Sequence, residues 1–225
     1  VAWSDPLFGY CERDVPGLLA EPLNAASNVA YLLAGIGLFR LQAAMIRRGE
    51  TVPGEVQSLP WLSVAVATCS LLFHLFATRW SGALDSLAIL LWCAVGIYSV
   101  VRRGTRLASA WPLAAAIAFA ATSFGLSRAL PPGLLGGSAA YLPNLVALAA
   151  VAVYLRFVGA PAGAGFTGAT VLFAAALVVR TADRPLCAAI PSGTHFVWHL
   201  MTGWLLWRVG RELTLRRYQR SQTSA

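Results

Sequence analysis

The sequence contains no lysine. All seventeen basic residues are arginine, set against nine acidic ones, for a net charge of +8. A seven-helix retinal protein needs a lysine for its Schiff base, so that class is excluded. Charge of either sign is scarce: 12% of residues are charged, where a soluble domain carries about 25%. Histidine occurs three times, cysteine four times and methionine twice. No stretch has the composition of a separate soluble domain, and no low-complexity tract or clear repeat is visible.

What fills the space is apolar: 58% of the chain is hydrophobic. Seven runs are long and apolar enough to read as membrane spans. They are Asn24–Ile46, Pro60–Thr78, Gly82–Val101, Ser109–Ser127, Ser138–Val158, Gly165–Ala182 and Thr194–Arg208. The loops between them are short and rich in Arg, Gly and Pro. The expected fold is an all-α, seven-helix transmembrane bundle forming one domain over residues 1–225. Residues 1–23 form a segment outside the membrane, and 209–225 a basic tail.

The arginines orient that bundle. One side would hold Arg13, Arg79, Arg128, Arg180 and Arg184. The other would hold Arg40, Arg47, Arg48, Arg102, Arg103, Arg106, Arg156, Arg208, Arg211, Arg216, Arg217 and Arg220. By the positive-inside rule the arginine-rich side and the tail are cytoplasmic, and the N-terminus is outside. The positive charge is thus read as topology, and no nucleic-acid partner is expected. Acids run the other way: Asp5, Glu12, Asp14, Glu21, Asp85 and Asp183 fall on the outer side. An acidic outer end suits a cation better than a phosphate.

All three histidines map to that outer end. His195 and His199 stand four apart in "THFVWHL", on one helical face, and His74 lies near the outer end of the second run. Ser70 is one turn deeper than His74 on the same face. Asp85 opens the third run after a short "RWSG" turn. Ionisable residues in spans are costly and usually face the bundle interior. Three neutral imidazoles suffice to hold zinc with a fourth position open. Taken singly, each residue has a plainer reading. A lone His can be a bonded packing residue, Asp85 a helix N-cap, and Ser70 a hydroxyl bonded to the preceding turn. The pattern is not HExxH, so a general base must come from elsewhere, and Asp85 is the nearby candidate.

A second polar cluster, "YCERDVPGLLAEPLNAASN", leads into the first run. Glu12, Asp14 and Glu21 are hard oxygen donors of the kind calcium takes; they also read as a solvated acidic segment. Cys11 and Cys187 both fall on the outer side. An oxidising compartment would join them, and a reducing one would leave two thiols. Cys69 and Cys93 lie within runs and read as packing residues.

The elements "YCE…E-x-x-N-x-x-S-N", "S-x-x-x-H…L-D" and "D-R-x-x-C…H-x-x-x-H", in this order, resemble the alkaline ceramidases. Those belong to the CREST superfamily of seven-span membrane hydrolases, which includes adiponectin-receptor-like proteins. The resemblance implies zinc on His74, His195 and His199. It implies Asp85 as general base or water-orienting group, and Ser70 as stabiliser of the oxyanion. It implies hydrolysis of ceramide, or a related N-acyl membrane lipid, to a sphingoid or other amine and a fatty acid. A Cys11–Cys187 disulfide is implied too, as is calcium on Tyr10 (through its carbonyl), Glu12, Asp14 and Glu21. Gly9 stands where the family carries an acidic ligand. The short loops and lysine-free make-up look bacterial, which implies an inner-membrane protein with its site near the extracytoplasmic face.

The expected function is therefore a zinc-dependent intramembrane lipid amidase. Its rivals are a hydrolase of a lipid ester, a seven-span receptor-like signalling protein with structural zinc, and a metal transporter. The last would need a polar relay across the bundle, and the inner halves of the runs supply almost none.

Overall fold

The computed structural model describes residues 2–7, 9–13, 15–105, 107–108, 110–131 and 133–215. Asp14, Arg106, Arg216, Arg217 and Arg220 lie outside these. Among the described residues the chain is all helical, with no strand. The order is α1 (Pro22–Ser27), α2 (Val29–Arg47), α3 (Gly54–Gln57), α4 (Leu59–Phe76), α5 (Arg79–Gly104), α6 (Trp111–Ala129), α7 (Leu142–Phe157), α8 (Gly163–Ala182) and α9 (His195–Thr214). Five helical segments are long and apolar enough to cross a membrane: Pro22–Arg47, Gly54–Phe76, Arg79–Gly104, Leu134–Phe157 and Gly163–Ala182. The architecture is that of a multi-pass membrane protein. Helices α6 and α9 have comparable length, 19 and 20 residues, but are less apolar.

Each long helix packs on its neighbours in a ring: α2 on α4, α4 on α5, α5 on α6, α6 on α7, α7 on α8, α8 on α9, and α9 back on α2. Local chemistry sets the helix ends. Prolines fall in the first turn of α4, α6 and α7, where the missing N–H has no intrahelical partner anyway. Between α4 and α5 only two residues intervene. Ala77 ends α4 in the left-handed conformation, and Thr78 and Ser81 form a reciprocal capping box at the start of α5. This tight corner holds the C-terminal end of α4 and the N-terminal end of α5 together, and with them the segments that carry His74, Ser70 and Asp85.

The seam between α2 and α9 is closed by small residues. A Cβ on Gly203 would lie 2.6 Å from Cβ of Ala30, so the backbones meet at a distance only glycine permits. One turn away, His199 is thereby brought against the start of α2.

The expected basic tail is partly corrected. Helix α9 continues to Thr214, and Val209, Gly210, Glu212, Leu213 and Thr214 are buried in the bundle. The apolar run stops at Arg208, but the helix needs only one apolar face to stay packed.

Candidate metal centre

His74 is delivered by α4, and His195 and His199 by the first two turns of α9. All three are buried, and one ligand nitrogen from each lies within 4.8 Å of the others. The Nε2 atoms of His74 and His199 are 3.2 Å apart. Two nitrogens on one tetrahedral zinc at about 2.05 Å would be about 3.3 Å apart.

The opposite ring nitrogens explain why these two face inward. Nδ1 of His74 lies 2.6 Å from Glu21 Oε2. Nδ1 of His199 lies 2.7 Å from Ser27 Oγ and 3.2 Å from the Asn24 carbonyl. Ser27 Oγ itself donates to Asn24 O at 2.9 Å. The network therefore assigns the proton of each imidazole to Nδ1. With Nδ1 as the donor on both rings, the two Nε2 lone pairs face each other and a cation could sit between them. Outer partners of this kind fix the tautomer and aim of metal-ligating histidines. Sequence spacing carries a trace of this: Glu21, Asn24 and Ser27 recur every three residues, on one face of the entry turn and α1.

His195 is held by stacking. The Tyr10 ring lies on it with centroids 3.6 Å apart and planes 18° off parallel. Its backbone N–H donates to Asp183 Oδ1 at 2.9 Å, as does that of Thr194 at 2.6 Å. Asp183 Oδ2 accepts from the Cys11 N–H at 3.0 Å. Asp183 thus ties the N-terminal segment to the first turn of α9. The Cys11–Cys187 disulfide is formed at the same place.

The described members of the expected calcium set have partners within the chain. Glu21 gives one oxygen to Arg13 Nε at 2.5 Å and the other to His74 and Asn24. Glu12 accepts from the Leu23 and Asn24 N–H groups at 2.7 and 2.8 Å, holding the start of α1. The Tyr10 carbonyl accepts from the Arg13 N–H at 3.4 Å, and its ring serves His195. The cation among these acids is the buried Arg13 guanidinium. It also donates to the carbonyls of Gly17 at 2.9 Å and His74 at 2.7 Å, the latter in the last turn of α4. Burial alone would raise the Glu21 carboxyl above its usual range. Hydrogen bonds from His74, Arg13 and Asn24 outweigh that and hold it lower. Burial pushes the Tyr10 phenol up, against the opposing charge of Arg180. Asp14 lies outside the described residues.

Ser70 and Asp85 are brought to the centre as a pair. Ser70 is buried on the same face of α4 as His74, and the Asp85 carboxyl lies within electrostatic reach of Ser70, His74 and Arg180. Oδ1 of Asp85 is sealed from solvent and has no partner. Asp85 is therefore not the N-cap of α5, a role Thr78 fills. It is a carboxylate with a buried oxygen that no protein group holds.

Below this layer the bundle is apolar and hollow. A pocket is lined by Tyr31, Val66, Ile89, Trp92, Trp198 and Thr202, among others. These residues follow Ser70, Asp85 and His199 by about one turn inward. The pocket's α5 wall runs from Ile89 to Val100, about 16 Å along the helix axis. The Tyr31 ring meets His199 edge-on, with centroids 5.7 Å apart, so metal centre and pocket adjoin.

Fold and centre together define a helical membrane protein with a buried group of three histidines able to hold a metal ion. No protein-family model matches the chain. No curated protein matches it either.

Proposed function

We propose that the protein is a zinc-dependent intramembrane hydrolase of lipid amides. The observation that carries this is the adjacency of the three-histidine group, the free oxygen of Asp85 and a long apolar pocket. The resemblance of three sequence patches to the alkaline ceramidases supports the same reading. Three imidazoles with carboxylate and hydroxyl outer partners are a donor set suited to zinc.

A divalent ion held there supplies Lewis acidity to the attacking water and to the amide carbonyl. The chain's own groups do the rest. The pocket takes the acyl chain and brings its carbonyl up to the histidines. Asp85 accepts the proton of the attacking water on Oδ1 and passes it to the leaving nitrogen. The Ser70 hydroxyl donates to the oxyanion as it forms. Glu21 and Ser27 keep His74 and His199 aimed throughout.

The same proposal includes seven spans, with α6 and α9 crossing beside the five apolar segments. At 19 and 20 residues they reach about 28–30 Å, close to the thickness of a bilayer's hydrocarbon core. The arginine bias places the N-terminus outside, and the Cys11–Cys187 disulfide suits an oxidising outer compartment. The test is a panel of long-chain amides and matched esters offered to purified protein. Release of fatty acid from amides supports the reading; cleavage of esters alone replaces it with the esterase, and bound zinc without turnover replaces it with a receptor-like protein.

A further inference from the structure

Arg180 is a buried cation in no direct ion pair, with the Asp85 carboxylate near enough only to act on it through space. It lies in the last turn of α8, 9% exposed. Its hydrogen bonds run to the Gly136 carbonyl at 2.9 Å, Ser138 Oγ at 3.1 Å and the Tyr10 hydroxyl at 3.2 Å. All three acceptors are neutral. Its Nε is buried with no partner. Among the described residues the ion pairs join Arg13 and His74 to Glu21, Arg79 to Asp5, Arg103 to Glu55 and Arg211 to Glu212. Arg180 is in none of them. A buried charge without a paired anion is costly to keep, even in the last turn of a helix, and raises the question of what it binds.

Its surroundings say what it faces. The guanidinium carbon lies 5.8 Å from the Tyr10 ring, 5.1 Å from the Tyr141 ring and 5.8 Å from the Trp198 ring. Tyr10 stacks on His195, and Tyr141 and Trp198 line the apolar pocket. Arg180 therefore stands where metal centre and pocket meet, level with the bond that the proposed function would cleave. A planar guanidinium with a free N–H is suited to a carboxylate.

We propose that Arg180 binds a carboxylate carried by the substrate beside its scissile amide, so that the substrate class is an N-acyl amino acid rather than a neutral N-acyl amino alcohol. This rests on the hydrolase reading above. The acyl carboxylate of the product forms only on cleavage and is not there to be bound while the amide is intact. The amino-acid carboxylate is present from binding onwards. In the reaction one water adds to the acyl carbon and the C–N bond breaks. The nitrogen takes a proton, leaving a fatty acid and an amino acid with no redox change.

The experiment compares N-palmitoylglycine with N-palmitoylethanolamine, which differ only in a carboxylate against a hydroxymethyl group. Binding is read from thermal stabilisation of the purified, metal-loaded full chain, and hydrolysis from released palmitate. Wild type is expected to bind the glycine conjugate about tenfold or more tightly. Arg180→Gln should abolish that preference while metal content and binding of the ethanolamide stay unchanged. Arg180→Lys should keep part of it. Equal binding of the two amides by wild type overturns the proposal, as does a preference that survives in Arg180→Gln. Palmitate binding as tightly as N-palmitoylglycine, and equally dependent on Arg180, also overturns it in favour of a product site. Should Arg180→Gln lose its metal and fail to fold, wild-type selectivity and Arg180→Lys decide. Binding selectivity without hydrolysis of either amide removes the hydrolase reading and leaves the carboxylate site. Hydrolysis of both at equal rates does the reverse.

Discussion

The carboxylate of Glu21 lies 2.6 Å from Nδ1 of His74, and both side chains are almost wholly buried. Through this contact a residue outside the histidine set fixes which nitrogen of His74 faces the metal. Replacing Glu21 by Gln removes the charge but keeps the shape. The metal dissociation constant is expected to rise about 10- to 100-fold, read by competition with a chelator. Ser27→Ala should act in the same direction through His199 and more weakly, because a neutral hydroxyl is the weaker partner.

The proposed mechanism gives Asp85 a different step. Its free Oδ1 faces no protein donor, so Asp85→Asn should leave metal content unchanged. Turnover should fall about 10²- to 10⁴-fold, the usual share of general acid–base catalysis. Loss of metal together with activity would make Asp85 a structural support of the centre instead.

Gly193 tests the coupling between loop and ligand. It sits at φ +65°, and a Cβ there would overlap the Asp183 carboxylate and crowd Cys11. Asp183 holds the N–H groups of Thr194 and His195. Gly193→Ala should cost about 1–3 kcal/mol of stability, seen as a lower Tm, and should weaken metal binding as α9's first turn shifts.

How much of this could be read before the fold was known follows from which signals are local. The three histidines and Asp85 were legible as a group because each lies at the same end of an apolar run, and run length fixes depth; the Cys11–Cys187 bond was legible only through the resemblance. The helices were legible for the same reason, to within a few residues at most ends. Glu21 was not legible as a partner of His74. The two are 53 positions apart, and an acid in an acidic segment reads first as a cation ligand. Arg13 changed that reading by supplying the positive charge from within the chain. Asp183 and Tyr10 act across 172 or more positions, on Cys11 and His195, and leave no local pattern. The last turns of α9 lie beyond Arg208, where the apolar run stops and charged Arg211 and Glu212 follow, while Leu213 and Thr214 remain buried.

The disulfide ties the segment bearing Tyr10 to the loop before α9, across 176 residues of sequence. Cys11→Ser should lower stability by about 2–5 kcal/mol. It should also quicken metal loss, because the Tyr10–His195 stack depends on the same segment. Thermal unfolding and metal release, each with and without reductant on wild type, would check both effects.

The central claim is that three buried histidines hold a metal on which lipid hydrolysis depends. The most direct measurement is metal content of purified wild type and His199→Ala, run beside an assay of released fatty acid. The account predicts about one zinc per chain in wild type, with both zinc and fatty-acid release lost in His199→Ala. Full activity in His199→Ala, or a metal-free wild type that still hydrolyses its lipid, would contradict it.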